Sequence, residues 1–180
     1  MQITIKPIVP NDQLWQPFIG LYCSAFPENE RRDINRLAEM TNSTNLMHVN
    51  AIMQNQLFVG LLVYWTFDSF NYLEHFAILP THRGKGLGTA AIKELTTEKQ
   101  FWLLEVEPDE TELTHRRIQF YNRNGFQVLD RTYIQPTYNG NPNNQVPLWI
   151  MGNKQAHDVS KEIETIKSNV YGIQSAIAVL

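Results

Sequence analysis

The segment that most constrains this chain is a glycine-rich turn at residues 83–88, which reads Arg-Gly-Lys-Gly-Leu-Gly. It follows the apolar run 73–79 and precedes the run 89–95, so it predicts a strand, a tight turn and a helix. Glycine leaves room for a ligand to approach the backbone, and the N–H groups at a helix start attract an anion. The spacing fits neither a Walker loop nor a dinucleotide fingerprint. We therefore expect the turn to bind the diphosphate of a different cofactor.

Length and charge narrow the class of protein further. A chain of 180 residues suits a single domain over 1–180, with a helical tail from about residue 155. No run reaches the roughly 18–20 apolar residues of a membrane span, and Cys23 is the only cysteine, so we predict a cytoplasmic protein without membrane contact. A net charge of −3 argues against nucleic-acid binding. The pairs Arg31-Arg32 and Arg116-Arg117 are predicted to be solvated helix faces, and no residue spacing suggests a metal site.

The apolar patterning predicts a mixed α/β chain in the order β-α-α-β-β-β-α-β-α-β-β, followed by the helical tail. Asn11-Asp12 is predicted to cap the first helix. Strands are expected near 3–5, 48–53, 57–66, 73–79, 101–106, 127–134 and 146–151. Helices are expected near 14–22, 34–40, 85–98, 112–123 and 162–171.

Two motifs resemble a known family. Arg83-x-x-Gly86-x-Gly88 is similar to the Arg/Gln-x-x-Gly-x-Gly/Ala signature of the GNAT superfamily of N-acetyltransferases. The segment 120–126, Phe-Tyr-Asn-Arg-Asn-Gly-Phe, resembles the second motif of that superfamily, Phe-Tyr-x-x-x-Gly-Phe. Together the motifs span about residues 72–130. The resemblance implies a mostly antiparallel central sheet flanked by helices, and acetyl-CoA as cosubstrate.

The same resemblance implies a set of cofactor-binding residues. The strand before the turn is expected to offer backbone groups to the pantetheine arm through Phe76, Ala77 and Ile78. The turn and helix start are expected to bind the pyrophosphate through Arg83, Gly84, Lys85, Gly86, Leu87, Gly88 and Thr89.

Acetyl transfer to an amine also needs a proton donor for the leaving thiolate and a base for the amine. The resemblance places Tyr121 beside the sulfur of CoA, where its phenol can protonate the thiolate. The alternative is a structural tyrosine whose hydroxyl meets a backbone group.

Glu105 and Glu74 are the two candidates for the base, because each carboxylate interrupts an apolar strand. The choice between them stays open, and both also suit acceptor binding or a solvated strand end. By strand alternation, Glu107 is expected to share the face of Glu105, and His75 to point away from Glu74 as a structural histidine.

These residues favour an acetyl-CoA-dependent N-acetyltransferase that modifies an amine of a small molecule. Direct attack in a ternary complex is expected, because no cysteine lies near either motif. A protein or peptide N-acetyltransferase and a CoA-binding module without catalysis remain as alternatives. Glu28, Glu30, Glu105 and Glu107 would suit a cationic acceptor, and the apolar residues 173–180 leave a homodimer open.

Overall fold

The computed structural model describes residues 2–98, 100–138, 145–155 and 158–173. Its nine strands are β1 (Thr4–Pro7), β2 (Met47–Gln54), β3 (Leu57–Thr66), β4 (Asn71–Ile78), β5 (Trp102–Val106), β6 (Gln127–Asp130), β7 (Ile134–Gln135), β8 (Val146–Pro147) and β9 (Trp149–Gly152). Seven of them form a sheet in the order β1-β2-β3-β4-β5-β9-β6, and β7 pairs with β8. Among the strand pairs of the described residues, β4 and β5 alone run parallel. The predicted mostly antiparallel sheet is therefore confirmed.

Helices cover both faces of this sheet. They are α1 (Trp15–Ala25), α2 (Ile34–Ser43), α3 (Leu87–Leu95), α4 (Glu112–Arg123) and α5 (Ser160–Asn169). One apolar cluster includes Phe18, Leu37 and Ile166, which places α1, α2 and α5 on one face. A second cluster includes Ala91 and Ile118, which places α3 and α4 on the other face. The sheet thus lies between two separate apolar layers.

The centre of the sheet opens where β4 and β5 diverge. Their parallel ladder joins only Asn71–Leu73 to Trp102–Leu104, although both strands continue beyond it. The divergence coincides with a bulge in β4, because Val63 pairs with His75 while Tyr64 pairs with Leu73, which leaves Glu74 as the extra residue. An opening at the carboxyl ends of parallel strands is a common place for a ligand. We call this gap the β4–β5 opening.

Several predicted boundaries were wrong for local reasons. Asp12 does not cap the first helix, because its carboxylate accepts a hydrogen bond from the N–H of Val9 (3.0 Å), and the helix starts later. The predicted strand 127–134 stops at Asp130, whose Oδ1 accepts from the N–H of Thr132 (2.6 Å) and makes a turn. The predicted strand 146–151 divides into two, because β8 pairs with β7 whereas β9 pairs with β5 and β6.

Neither a membrane-spanning helix nor a metal cluster is found in the part of the chain that the structure describes. None of its helices is long and apolar enough to cross a bilayer. No three described His, Cys, Asp or Glu side chains are grouped to hold a metal ion. Apart from Ile173, the apolar tail that suggested a partner surface lies outside the described residues.

Candidate functional site

The glycine-rich turn leads directly into α3. Gly84 and Gly86 have positive φ angles of 73° and 77°, a backbone conformation that side chains disfavour. Gly86 is the residue before the helix, so α3 begins at Leu87, two residues later than the start of the expected helix 85–98. The first amides of a helix have no carbonyl partner in a preceding turn. The N–H groups from Leu87 to Thr89 are thus available to an anion.

The other residues of the turn fix its shape. The Nε of Arg83 donates to the carbonyl of Ile78 (3.0 Å), at the end of β4, and Nζ of Lys85 donates to the carbonyl of Thr81 (2.9 Å). Gly88 lets α3 approach α4, because a Cβ there would lie 3.3 Å from the ring of Phe120. The turn therefore stands against the strand end on one side and α4 on the other.

The strand residues expected to bind the cofactor lie along the β4–β5 opening. Phe76, Ala77 and Ile78 pair with β3 on one side. On the other side the ladder with β5 has already ended at Leu73. The backbone groups that face the opening thus have no strand partner among the described residues, as an added strand-like ligand requires.

Tyr121 lies on α4, on the same side of the sheet as the turn. Its side chain is 8% exposed and packs edge-on against Phe120 and Phe126, with ring centroids 5.1 and 5.8 Å away. The hydroxyl has no hydrogen-bond partner in residues 2–98, 100–138, 145–155 or 158–173. Burial raises the pKa of Tyr121 to about 12, against a lowering effect of Arg117. The phenol is therefore protonated at neutral pH and has a proton to donate.

Glu74, by contrast, is completely paired. Its buried carboxylate forms an ion pair with Arg32, accepts from Nε1 of Trp65 (2.7 Å), and accepts from the hydroxyl of Tyr138 (2.9 Å). Burial alone would raise the pKa of Glu74, but Arg32, His75 and these hydrogen bonds outweigh it and hold the pKa below its usual value. The ionised form is therefore strongly favoured, and a carboxylate of this kind is a poor proton acceptor.

Glu105 has polar partners but no cationic one. Its Oε2 accepts from Nε2 of Gln135 (2.5 Å) and from the hydroxyl of Tyr171 (2.9 Å). The Oε1 atom is buried and unpaired, and no described Lys, Arg or His forms an ion pair with this carboxylate. Burial raises the pKa of Glu105, and hydrogen bonds from neighbouring tyrosines and Gln135 offset this only in part. Of the two candidates, Glu105 thus has the pKa shift expected of a base.

A chain of tyrosines joins the two carboxylates. Tyr138, bound to Glu74, packs against Tyr171, bound to Glu105, with ring centroids 5.0 Å apart. The hydroxyl of Tyr72 lies 3.2 Å from that of Tyr171. We call this group the carboxylate cluster; its members are Arg32, Trp65, Tyr72, Glu74, Glu105, Tyr133, Gln135, Tyr138 and Tyr171.

The carboxylate cluster and Tyr121 lie on opposite faces of the sheet. Trp65, Tyr72 and Tyr133 belong to the apolar layer of α1, α2 and α5, whereas Tyr121 belongs to the layer of α3 and α4. The β4–β5 opening connects the two faces. A ligand threaded through it would have the phenol on one side and the carboxylates on the other.

Most members of this cluster do not stand out in the sequence. Arg32 is only 4% exposed, so the prediction that it lies on a solvated helix face was wrong. It also donates through Nη2 to the carbonyl of Val170 (2.5 Å), 138 residues away. The one available signal was that a carboxylate within the apolar β4 needs a buried cation, but nothing in the sequence said which one.

Two further expectations need correction. His75 does not point away from Glu74, because the bulge at Glu74 breaks the alternation, and the Nδ1 of His75 lies 3.8 Å from Oε1 of Glu74. Glu107 lies beyond the end of β5, is 42% exposed at its side chain, and forms an ion pair with Arg117. Glu107 contributes to raising the pKa of Glu30 after burial, the larger cause. Glu107 is thus paired with Arg117 at the surface, outside the carboxylate cluster.

Comparison with known proteins identifies the family. A solved structure from Bacteroides thetaiotaomicron, described as a candidate acetyltransferase of the GNAT family, is 32% identical to this chain. It aligns over 95% of this chain and 99% of its own, with a TM-score of 0.87. The chain belongs to the GNAT family. A family model described as the acetyltransferase (GNAT) domain also matches residues 48–128, which include both motifs of this GNAT chain.

More distant relatives agree with this family. The Bacillus subtilis protein YjbC, named as a candidate acetyltransferase, is 37% identical over 70 residues, which make up 37% of this chain and 36% of that protein. A GNAT acetyltransferase from Elizabethkingia anophelis, solved with acetyl-CoA bound, covers 85% of this chain with a TM-score of 0.57 and 13% identity. At that identity the likeness shows the fold alone.

Proposed function

We propose that this chain is an acetyl-CoA-dependent N-acetyltransferase that transfers an acetyl group to an amine of a small molecule. The observation that carries the proposal is the β4–β5 opening, which has a glycine-rich turn and a helix start at the end of β4, a free phenol on one face and the carboxylate of Glu105 on the other. Pantetheine would lie along Phe76–Ile78, and the pyrophosphate would lie on the amides of residues 84–89. This geometry would bring the thioester to the opening.

Glu105 is the better candidate for the general base. Its pKa is raised by burial, so at neutral pH the carboxylate can accept a proton more readily than an ordinary glutamate. Glu74 serves a different purpose in this proposal, because Arg32 and two further hydrogen-bond donors, Trp65 and Tyr138, already hold it in the ionised state. We propose that Glu74 fixes Tyr138 and the bulge of β4 in place.

The proposed reaction conserves atoms and protons. The acceptor ammonium loses a proton to Glu105, and the neutral amine attacks the thioester carbonyl. A C–N bond forms and the C–S bond breaks. Tyr121 gives its proton to the leaving thiolate and regains one from the amide nitrogen through solvent, while Glu105 releases its own proton to solvent. Cys23 is the only cysteine and lies in α1, so the proposal has no acyl-enzyme step.

The first experiment measures release of CoA thiol from acetyl-CoA with and without a panel of small amines. We expect thiol release to depend on an amine and to yield the acetylated amine. If acetyl-CoA binds but no amine on the panel or on test peptides is acetylated, the chain is a CoA-binding module and the proposal fails. If only peptides are acetylated, the proposed small-molecule acceptor is wrong.

Tyr121→Phe tests the proton donor. The variant keeps the ring that packs against Phe120 and Phe126, so we expect the melting temperature and acetyl-CoA affinity to change little. The rate constant should fall by roughly 10²–10⁴-fold, as for loss of a positioned acid. A variant with a normal rate would remove Tyr121 from the mechanism.

A further inference from the structure

The carboxylate cluster contains more negative than positive charge. It contains two carboxylates, Glu74 and Glu105, and one cation, Arg32. Arg32 is fully committed, because it pairs with Glu74 and donates to the carbonyl of Val170. Glu105 is left with neutral donors only. A buried carboxylate without a counter-charge is costly, and an incoming cation would relieve that cost.

Unsatisfied polar atoms lie beside this charge. Oε1 of Glu105 and the hydroxyl of Tyr133 are both buried without a hydrogen-bond partner among the described residues. Tyr133 is 3% exposed, and its hydroxyl is near enough to the Glu105 carboxylate to help lower the pKa of that carboxyl, although no hydrogen bond of ordinary geometry joins them. A primary ammonium has three donors and one charge. It can therefore satisfy Oε1, reach the Tyr133 oxygen and neutralise the carboxylate together.

The surroundings of Glu105 favour one kind of amine. Tyr171 donates to Glu105, and Tyr72 and Tyr138 both contact Tyr171; tyrosine rings attract cations and pack against apolar groups. Glu105, Tyr138 and Tyr171 are partly exposed, so the position communicates with solvent. Among the described residues, no cation of the cluster remains free to bind a carboxylate on the acceptor.

We infer that Glu105 and Tyr133 form the binding site for the ammonium group of a small monoamine with an apolar or aromatic body and no neighbouring carboxylate. This inference rests on the proposed function and names the class of its acceptor. An α-amino acid would bring its carboxylate next to the carboxylates of Glu105 and Glu74, where Arg32 is already paired.

Three related probes test the inference on the wild-type protein. Calorimetry should be run at neutral pH, with and without CoA, using phenethylamine, phenethyl alcohol and phenylalanine. We expect phenethylamine to bind at least about tenfold more tightly than either of the others, since one lacks the charge and the other adds a carboxylate. Equal binding of the alcohol, or tighter binding of phenylalanine, would overturn the inference.

A pair of variants then locates the charge. Glu105→Gln keeps the shape of the side chain and removes its charge, and we expect phenethylamine affinity to fall at least about tenfold. Glu107→Gln, two residues further on and paired with Arg117 at the surface, is the matched control and should bind phenethylamine normally. Unchanged affinity in Glu105→Gln, with a normal melting curve, would show that another group binds the ammonium.

These readouts are separate from acetyl transfer. Phenethylamine binding that depends on Glu105, without acetylation of any amine, would support the ammonium site and refute the proposed function. If amines are acetylated but their binding does not depend on Glu105, the proposed function is supported and the ammonium site is refuted.

Discussion

Glu74 and Glu105 occupy neighbouring strands, but opposite forces govern their protonation. Arg32, His75 and hydrogen-bond donors overcome the effect of burial on Glu74 and lower its pKa. Burial dominates at Glu105 and raises its pKa. The two carboxylates should therefore affect the free energy of unfolding in opposite directions as pH changes.

Glu74→Gln is expected to destabilise the protein. At neutral pH the free energy of unfolding should fall by about 3–5 kcal/mol, because Arg32 stays buried without its partner. Since the pKa of Glu74 is lowered on folding, its contribution is present above the unfolded pKa of about 4.3 and is lost as pH falls through the folded pKa. Chemical denaturation across this range measures both effects. Glu39→Gln, which breaks the exposed pair with Arg36, is the control and should have little effect.

Glu105→Gln is expected to change the pH dependence of stability in the opposite direction. Since the pKa of Glu105 is raised on folding, its stabilising contribution is complete below about pH 4.3 and is lost as pH rises through the raised value. The melting temperature of the variant should therefore rise relative to wild type as pH increases over that interval. Melting curves that stay parallel across the interval would mean that burial does not control this carboxyl.

At the scale of the elements, the turn before α3 and the divergence of β4 and β5 define the cofactor side of the site. Gly86 has a φ of 77° and empty space around the position of a Cβ. A side chain there would thus meet no clash with the protein, but it would strain the backbone and redirect the amides at the start of α3.

Gly86→Ala is expected to weaken acetyl-CoA binding and to cost about 1–2 kcal/mol of stability through backbone strain. Gly125→Ala is a matched control, because Gly125 has a φ of 87° and equally open surroundings but follows α4. It should lower the melting temperature similarly and leave acetyl-CoA affinity intact. If both variants bind acetyl-CoA like wild type, the turn does not carry the pyrophosphate.

Elements with a strong local pattern were predictable from the sequence. The run 57–66 matches β3, and the turn at 83–88 precedes a helix as expected. Boundaries set by single side chains were not predictable, as at Asp12 and Asp130, because a carboxylate that accepts from a nearby N–H can either cap a helix or make a turn.

At the scale of the whole molecule, the carboxylate cluster depends on contacts between distant parts of the chain. Arg32 and Glu74 are 42 residues apart, and Glu105 and Tyr171 are 66 residues apart. The sequence identified both glutamates because each interrupts an apolar strand. It gave no means of finding Arg32 or Tyr171, since neither lies near them in sequence or stands out in its own segment.

Tyr171→Phe tests the link between the tail and Glu105. The hydroxyl of Tyr171 helps to lower the pKa of Glu105 against the effect of burial, so its loss should raise that pKa further. The limb of the pH–rate profile that reflects ionisation of the base should then move to higher pH. Tyr138→Phe, which removes a hydrogen bond to Glu74 instead, should leave that limb nearly in place. Equal shifts in both variants would mean that the limb does not report on Glu105.

The contact between Arg32 and the carbonyl of Val170 has a consequence for protein synthesis. Arg32 leaves the ribosome early, together with the segments that form α1 and α2, whereas Val170 and Tyr171 follow only after the whole sheet has been translated. Domains form progressively from the first-made end of a nascent chain. Until residue 171 emerges, Arg32 lacks one of its acceptors and Glu105 lacks one of its donors. The acceptor side is therefore complete only after residue 171, beyond the end of α5, has left the ribosome.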